Sequence, residues 1–473
     1  MQTINVLFLA AEAEPFVKVG GLGDVAGSLP RALRGLSDEE LKVDVRLVLP
    51  LHAVIRAEGL KPLGMFGLPR GGSEVQVEAF ETILNGLPVY LISGEPVRAG
   101  GSVYSFDAKL DAEKYSFFSL AALELPRLVN WFPQIIHAND WHTSLSIYGS
   151  LTKRWEEGAR HVAGVITLHN LPFMGPDVSS ILDGYGIEHA QTDLPDWARV
   201  MPLPLGLWAS DAIVAVSPTY ANEVLTPEYG SGLDEFLQIR RETLHGILNG
   251  LDIESFNPAN DPALGVNYDL NSLENRPANK GLLQQRLGFP NDPEIPLFGV
   301  VSRMDPQKGV DLVFAALKSM KRTKYQAVIL GTGDPKLEKA AVNLQDEFPE
   351  KIKVETRYDA GLARQIYAGA DMLLMPSRYE PCGLSQMIAM RYGCVPIVRA
   401  VGGLNDTVRH GETGFVFRKP HYLSLKSAMS AALKSYENRE KWPALQRAGM
   451  SEDFSWKASA RKYLELYKTL IKK

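Results

Sequence analysis

Short apolar segments alternate with longer amphipathic segments along most of the chain. In the first half the apolar segments are residues 4–10, 43–49, 88–92, 134–137, 162–168 and 212–217. In the second half they are residues 297–302, 326–331, 351–356, 372–375 and 395–399. Buried parallel strands separated by helices produce this pattern. The sequence therefore predicts an α/β protein with two doubly wound, Rossmann-like parallel sheets, whose ligands bind beyond the carboxyl ends of the strands.

A segment at residues 257–279 separates the two predicted sheets; it is rich in Pro, Asn and Asp and shows little apolar periodicity. A chain of 473 residues is too long for one ordinary core, since single cores seldom exceed about 300 residues. We therefore expect two domains, residues 1–255 and residues 256–453, that face each other across a deep cleft.

Residues 454–473 have a helical pattern of their own. Seven side chains share one helical face: Trp456, Ala460, Tyr463, Leu464, Tyr467, Leu470 and Ile471. Basic residues fill much of the remainder, which is also the pattern of a helix that lies on a membrane surface. We favour a terminal helix packed back on the first domain, because an apolar stripe of this width commonly faces a protein core.

The composition excludes several classes of function. A formal net charge of −5 gives no basic excess of the kind that nucleic-acid-binding proteins show. The two cysteines, Cys382 and Cys394, do not form a disulfide framework. No apolar run approaches the roughly 20 residues of a membrane span. We expect a cytoplasmic protein, or a protein of the plastid stroma if the chain is a mature form, with no nucleic-acid or membrane partner.

Two glycine-containing turns carry the strongest chemical signal. They are residues 18–25 and residues 376–386. Each follows a predicted strand and leads into a predicted helix, so free backbone N–H groups and the positive end of a helix dipole face the same point. One such turn in each half predicts a phosphate-bearing ligand held between the two domains.

The first turn also resembles a dinucleotide-binding fingerprint, because residues 21–26 match the pattern G-x-G-x-x-A. The context argues against an oxidoreductase. About ten residues separate Ala10 from Gly21, whereas the fingerprint follows directly on its strand, and Asp44 stands at the start of the second strand rather than at its end. Lys18 and the glycines fit better as a cradle for a substrate or a phosphate.

A pair of cations follows the first strand of the second half. Arg303 and Lys308 are close enough to converge on a diphosphate, Arg through a bidentate fork and Lys as a mobile point charge. Alone, the segment also fits a solvated surface loop. The chain has no Asp-x-Asp pair, no His-Glu-x-x-His and no P-loop sequence. We therefore expect no metal and no cofactor, with these cations neutralising a diphosphate leaving group.

Residues 137–142 combine two histidines with an aspartate and a tryptophan. The spacing of His137 and His142 does not suit a helical zinc pair, so hydrogen bonding is favoured over metal binding. Asp140 and Trp141 suit a sugar, because a carboxylate accepts hydroxyl protons and an indole covers the C–H face. Ordinary packing is an equal alternative for Trp141.

Glu380 is the candidate carboxylate of the second half. It lies between a predicted strand and a helix N-terminus, where a capping role must be weighed against a functional one. Pro381 and Gly383 suggest a tight turn that leaves Glu380 exposed. There it would hold sugar hydroxyls while the amides of residues 383–385 face a phosphate.

Seven ordered segments together carry a family resemblance. They are residues 18–25, 137–142, 167–170, 248–252, 302–309, 367–386 and 402–404. With them the chain resembles the bacterial glycogen synthases and plant-type starch synthases, which are retaining glucosyltransferases of GT-B architecture. The resemblance implies transfer of glucose from a nucleotide-glucose to the non-reducing end of an α-1,4-glucan, such as glycogen or a malto-oligosaccharide. ADP-glucose is favoured as donor over UDP-glucose.

The resemblance also implies roles for individual residues. The catalytic residues would be Lys18, His169, Arg303, Lys308 and Glu380. The donor site would comprise Lys18, Gly20, Gly21, Arg303, Lys308, Tyr358, Cys382, Gly383, Leu384 and Ser385. The acceptor site would comprise Asp24, Asp140, Trp141, His142, Asn170 and Asn249. In such families the backbone carbonyl at the position of His169 lies under the anomeric carbon.

The chain departs from the family pattern at a few positions. Residues 171–175 differ from the usual Ala-Tyr-Gln-Gly version, and Val401 replaces a usual Thr. Ile388 stands where many other retaining GT-B enzymes have a second glutamate, which favours the glucan synthases. Two other hypotheses stay open: a glucan-binding relative that has lost catalysis, and a GT-B transferase or phosphorylase of another sugar. Retention of Lys18, Arg303, Lys308 and Glu380 together argues against the first.

Overall fold

Strands and helices alternate through both halves of the computed structural model, which describes residues 2–56, 58–151 and 162–472. The chain divides into two units, which are described separately: Met1–Gly250 with Ser455–Lys473, and Leu251–Phe454. The division falls a few residues before the expected boundary at 255. Met1 and Lys473, at the ends of the expected domains, lie outside the described residues.

The first unit contains a nine-stranded sheet among its described residues. Its strands are β1 (Gln2–Leu9), β2 (Leu41–Pro50), β3 (Lys61–Arg70), β4 (Ser73–Leu84), β5 (Leu87–Ser93), β6 (Ile135–Asn139), β7 (Ala163–Leu168), β8 (Ala212–Ala215) and β9 (Leu244–Gly246). The order is β3-β4-β5-β2-β1-β6-β7-β8-β9, and all pairs are parallel except β3–β4 and β4–β5. Strands β1, β6 and β7 are neighbours, so their carboxyl ends bring three functional loops to one edge.

Helices connect these strands. They are α1 (Gly21–Arg34), α2 (Glu95–Ala99), α3 (Ala108–Ala122), α4 (Leu125–Leu128), α5 (Trp141–Ser150), α6 (Ser179–Gly184), α7 (Pro202–Ala209), α8 (Pro218–Glu223) and α9 (Asp234–Ile239). The apolar face of α1 packs on β2 and on the C-terminal helix of the first unit, and Val25, Leu29 and Leu33 are fully buried or nearly so. Burial of this face holds the glycine turn that precedes α1 against the sheet edge.

The second unit contains a six-stranded, wholly parallel sheet. Its strands are β10 (Leu297–Val301), β11 (Gln326–Leu330), β12 (Ile352–Glu355), β13 (Met372–Met375), β14 (Val395–Arg399) and β15 (Phe415–Phe417). The order is β12-β11-β10-β13-β14-β15, with the change of direction between β10 and β13. In doubly wound sheets ligands bind at such a switch point.

The helices of the second unit separate its strands, and one further helix returns to the first unit. They are α10 (Arg276–Arg286), α11 (Val310–Ser319), α12 (Pro335–Glu347), α13 (Ala360–Gly369), α14 (Ser385–Arg391), α15 (Gly402–Thr407), α16 (Tyr422–Tyr436), α17 (Lys441–Met450) and α18 (Trp456–Leu470). The apolar face predicted for α18 is buried in the core of the first unit, next to α1. The membrane-surface interpretation of that face is therefore wrong, because the face is already covered.

Candidate active site

The loop between β1 and α1 holds Lys18. Its Nζ lies 2.6 Å from Asp24 Oδ1 and 3.1 Å from Glu14 Oε2. Partial burial lowers the pKa of Lys18, but the two carboxylates outweigh that effect and the net pKa is raised. Lys18 is therefore a cation at neutral pH, and about two fifths of its side chain is exposed to solvent.

Glu12 supports this loop, although no sequence motif marked it. Its carboxylate accepts the N–H groups of Val19 and Gly20, the latter at 3.0 and 3.1 Å, and it is only 1% exposed. The signal available in the sequence was position, because Glu12 follows the carboxyl end of β1. The Gly20 amide is thus already engaged, whereas a Cβ at Gly21 would meet open space.

The loops after β6 and β7 meet through Asp140. Its Oδ1 accepts the N–H groups of His169 at 2.7 Å and Asn170 at 3.3 Å. Since the Asn170 amide and the His169 carbonyl belong to one peptide plane, Asp140 fixes the direction of that carbonyl. Asp140 itself has a φ of 52°, an unusual conformation for a residue other than glycine.

The imidazole of His169 is held by Asn139, a second residue that no motif role had marked. Its Nε2 lies 2.9 Å from Asn139 Oδ1, and an amide oxygen can only accept, so Nε2 carries the proton. Burial lowers the pKa of His169 despite the opposing charges of Asp140 and Glu12. His169 is therefore neutral at pH 7, and its Nδ1 is left as an acceptor.

The two histidines of residues 137–142 are buried. His137 hydrogen-bonds Tyr467 of α18 at 2.6 Å and Thr167 of β7 at 2.7 Å, which confirms the hydrogen-bonding role expected for it. His142 is 8% exposed, and its ring centroid lies 4.2 Å from that of Trp141. Its Nδ1 has no hydrogen-bond partner among the described residues. That side chain is thus packed among aromatic rings rather than displayed on the surface.

Asn170 and Asn249 have the same unfulfilled hydrogen-bonding capacity. In the described part of the chain, neither side-chain Oδ1 atom has a hydrogen-bond partner, and both atoms are buried. A buried carbonyl oxygen without a hydrogen bond costs free energy, so atoms of this kind mark places where a ligand hydroxyl can donate the missing bond. Both residues were expected on the acceptor side.

In the second unit, Glu380 lies between β13 and α14. It is 6% exposed, so the expectation of an exposed carboxylate in the turn is wrong. Lys308 Nζ lies 2.8 and 2.7 Å from its two oxygens, and Ser377 Oγ donates to Oε2 at 2.8 Å. The burial follows from this partnership, since a carboxylate without a counter-charge would not be retained there.

Arg303 and Lys308 lie at the carboxyl end of β10. They share a cavity of roughly 210 Å³ with Glu380, Gly383, Leu384 and Ser385. The Arg303 side chain is 70% exposed, which leaves it accessible to a ligand, and its guanidinium lies 3.3 Å from the Asp305 carboxylate. The two cations therefore converge on one cavity. The alternative of a solvated surface loop does not predict this arrangement.

Glycines hold the turn that carries Glu380. A Cβ at Gly402 would lie 2.0 Å from the Glu380 carbonyl oxygen, and one at Gly403 would lie 2.1 Å from that of Cys382. The Gly403 N–H also donates to the carbonyls of Glu380 and Pro381 at 3.2 and 3.1 Å. The start of α15 thus packs backbone to backbone against the turn, which explains the Gly-Gly pair.

Two other donor-side candidates, Tyr358 and Cys382, lie outside the lining of the cavity at Glu380. Tyr358 is 87% exposed and precedes α13, and Cys382 is 6% exposed. Ser385 begins α14, Leu384 and Gly383 immediately precede it, and all three residues line the cavity.

The described residues offer neither a metal-binding cluster nor a membrane-spanning helix. No group of three or more His, Cys, Asp or Glu side chains is arranged to hold a metal ion in the described ranges. Within those same ranges, no helix combines the length and apolar character needed to cross a membrane.

Family models match both units. The model of the starch synthase catalytic domain matches residues 5–239, and that of glycosyl transferases group 1 matches residues 282–446. A glycogen synthase of Gloeobacter violaceus is 40% identical over 99% of both chains. One from Streptococcus sanguinis is 37% identical over 99% of this chain and 100% of its own. This chain belongs to the starch and glycogen synthase family.

A solved structure of the same family has the same fold. The catalytic domain of starch synthase IV from Arabidopsis thaliana, solved with ADP and acarbose bound, is 32% identical over the whole of both chains, with a TM-score of 0.89. Together the matches confirm the predicted family, the GT-B fold class and a glucosyltransferase of the starch and glycogen synthase type.

Proposed function

We propose that this chain transfers glucose, with retention, from ADP-glucose to the non-reducing end of glycogen or a malto-oligosaccharide. The observation that carries the proposal is the buried Glu380, which Lys308 and Ser377 hold at the switch-point cavity of the second sheet. A carboxylate fixed on both oxygens is pre-organised to accept sugar hydroxyls, so little ordering is left to be done on binding.

The second unit supplies most of the donor site on this proposal. Glu380 accepts glucose hydroxyls, while Arg303 and Lys308 face the diphosphate and the amides of Gly383 to Ser385 approach its oxygens. Lys308 serves both groups, since its ammonium donates to Glu380 and keeps further donor capacity. The choice of ADP-glucose over UDP-glucose is supported by the ADP in the starch synthase IV structure.

The first unit supplies the glucan side and one donor contact. On this proposal the His169 carbonyl lies under the anomeric carbon, where positive charge develops, and Asp140 supports it by fixing the adjoining peptide plane. Lys18 adds a cation for the donor phosphate. Asn170 and Asn249 offer buried oxygens to glucan hydroxyls, with Asp24, Trp141 and His142 completing that side.

No metal or cofactor enters this mechanism. Departure of the diphosphate requires positive charge beside its oxygens, and Arg303 and Lys308 provide it from the edge of the cavity. The nucleotide-glucose is a substrate. We therefore expect turnover in excess EDTA to stay within about twofold of turnover with magnesium, because a bound ion has no charge to supply that these residues lack.

Nucleotide release tests the proposal. The purified chain is incubated with ADP-glucose or UDP-glucose, with and without glycogen, in EDTA and in magnesium. We expect ADP release that depends on glycogen and exceeds UDP release about tenfold or more, the ratio that 1.4 kcal/mol of discrimination gives. Absence of glycogen-dependent release from either donor would contradict transfer, and complete loss in EDTA would contradict the metal-free step.

A further inference from the structure

A buried acid and a tyrosine lie behind the Lys18 loop, and the proposed function gives neither a role. Glu12 takes the N–H groups of two consecutive loop residues, Val19 and Gly20, on one carboxylate. Tyr104, from a segment about 90 residues away, donates its hydroxyl to Glu12 Oε1 at 3.0 Å. The carboxylate is therefore bonded on one side to the loop and on the other to Tyr104.

Tyr104 is itself fixed by groups at the start of α3. The Lys114 ammonium, which is fully buried, donates to the carbonyl oxygens of Ser102 and Val103 at 3.0 and 2.8 Å. Asp111 accepts the Ser105 N–H at 2.9 Å, on the other side of Tyr104. Buried charge-assisted bonds on both flanks leave the tyrosine little freedom.

Residues 18–20 of the loop lie outside regular secondary structure, so side-chain contacts must hold its shape. Gly20 precedes α1 without a side-chain cap, so the helix start is not fixed by its own residues. A Cβ at Gly23 would lie 3.0 Å from Lys18 Cγ, so the lysine stem packs directly on the helix. The Lys18 ammonium is bonded to Asp24 and Glu14. The backbone that follows it, at Val19 and Gly20, is held by Glu12.

We propose that Glu12 and Tyr104 are a positioning pair, which holds the loop of residues 18–21 in the one shape that directs Lys18 to the donor phosphate. The pair acts through the loop and does not contact the reacting atoms. This proposal rests on the proposed function for the role of Lys18. Burial and the charge of Glu12 raise the pKa of Tyr104, which keeps its hydroxyl a donor to the carboxylate.

A double-mutant cycle of Glu12→Gln and Tyr104→Phe tests the pair. Glu12→Gln removes the charge that holds two amides, so kcat/KM for ADP-glucose should fall about tenfold or more, while KM for glycogen stays within twofold. Tyr104→Phe should lower the same parameter by about threefold. Because Tyr104 acts through Glu12, the double variant should be no slower than Glu12→Gln alone.

Amide hydrogen exchange gives a readout that does not need activity. The Val19 and Gly20 amides should exchange slowly in the wild-type protein and faster in both variants, even if the donor proves to be another nucleotide-sugar. The control is Tyr325→Phe, which removes a similar buried hydroxyl, bonded to the Leu317 carbonyl at 2.8 Å in the second unit. It should change neither exchange at the loop nor the donor kinetics.

Three results would overturn the proposal. The first is a rise in KM for glycogen with unchanged donor kinetics, which would make the pair a glucan contact. The second is additive effects of the two substitutions, and the third is unchanged exchange at Val19 and Gly20. If Glu12→Gln does not fold, Tyr104→Phe, which loses one hydroxyl, still tests the proposal through its amide exchange at Val19 and Gly20 and its donor kinetics. Failure of the wild-type protein to release ADP would contradict the proposed function alone.

Discussion

Lys308, through its pair with Glu380, contributes both to the stability of the fold and to the proposed chemistry. Glu380 is almost fully buried, its charge is balanced by the Lys308 ammonium, and the Ser377 hydroxyl donates a hydrogen bond to it. Removing one member of a buried pair is far more costly than never having had the pair, because the other charge is left unpaired. The two consequences of losing Lys308 should therefore appear together.

Lys308→Ala should lower turnover about 100-fold, as removal of a charge-stabilising group does elsewhere. It should also lower the free energy of unfolding by about 3 kcal/mol, because Glu380 is left unpaired. Steady-state kinetics and denaturant unfolding measure the two effects. The control is Lys318→Ala, whose exposed ammonium pairs with Glu347 and which should cost less than about 1 kcal/mol. Normal turnover in Lys308→Ala would remove Lys308 from the mechanism.

Sequence reasoning marked the right residue types here but not their environment. Glu380 was expected to be exposed because the turn residues around it are small, yet its partner Lys308 lies 72 positions earlier in the chain. No local pattern reports a contact of that sequence separation. Glu12 was missed for the opposite reason, since it belongs to no motif and gains its role only when β1 places it behind the Lys18 loop.

At the scale of elements, the loops after β1 and β2 are joined through His52. Its Nε2 lies 2.8 Å from the Ala11 carbonyl oxygen and donates to it, because a carbonyl can only accept. Its Nδ1 is buried and has no hydrogen-bond partner among the described residues. Burial lowers the pKa of His52 to about 4, so the folded protein holds this ring neutral.

His52 should therefore make stability fall in acid. Below the unfolded pKa of about 6.5 the unfolded chain binds a proton that the folded chain refuses, so the contribution is complete above pH 6.5 and is lost as the pH falls toward 4. The loss amounts to about 3 kcal/mol, at 1.4 kcal/mol per pKa unit. We expect the free energy of unfolding, measured with denaturant between pH 7 and 4, to fall less steeply with decreasing pH in His52→Gln than in the wild-type protein. A dependence of unfolding free energy on pH that is the same in His52→Gln as in the wild-type protein would contradict this.

The start of α15 supports the active-site turn through backbone contacts. Gly403→Ala would place a methyl group 2.1 Å from the Cys382 carbonyl oxygen, so the turn that carries Glu380 must shift. We expect turnover to fall at least about tenfold, since displacements of 1 Å in a site cost about 100-fold, and stability to fall by about 1–3 kcal/mol.

A helical glycine elsewhere in the second unit provides the matched control. At Gly361, in α13, the nearest atom to an added Cβ lies 3.5 Å away, so Gly361→Ala should be neutral or stabilising by about 0.5–1 kcal/mol. Equal effects of the two substitutions on turnover would show that the Gly403 contact has no special part in the site.

Most strands and helices were predictable, because buried parallel strands are continuous apolar runs. The hairpin of β3 and β4 was not predicted. Its first strand contains Pro62, Gly64, Gly67 and Pro69, which disfavour strand formation locally, and it forms because β4 pairs with β5 in the sheet. The short strands β9 and β15 were also missed, since three residues carry too little pattern.

At the scale of the whole molecule, the similarity to the family extends over the full length of the chain rather than over one unit. The two family models fall one on each unit, and the full-length relatives cover 99% of the chain. The proposed residues are likewise divided, with His169 and Lys18 in the first unit and Glu380 with its cations in the second. Glucosyl transfer is therefore a property that we assign to both units together.

The chemical structure of the reaction product tests the proposed glucosyl transfer most directly. ADP-glucose labelled with ¹³C at the anomeric carbon is supplied with a malto-oligosaccharide, and the product is followed by NMR. We predict that the label appears in new α-1,4 linkages at the non-reducing end, with equimolar ADP and little free glucose. Label found only in free glucose, or in a β-linkage, would contradict the account of a retaining glucan synthase.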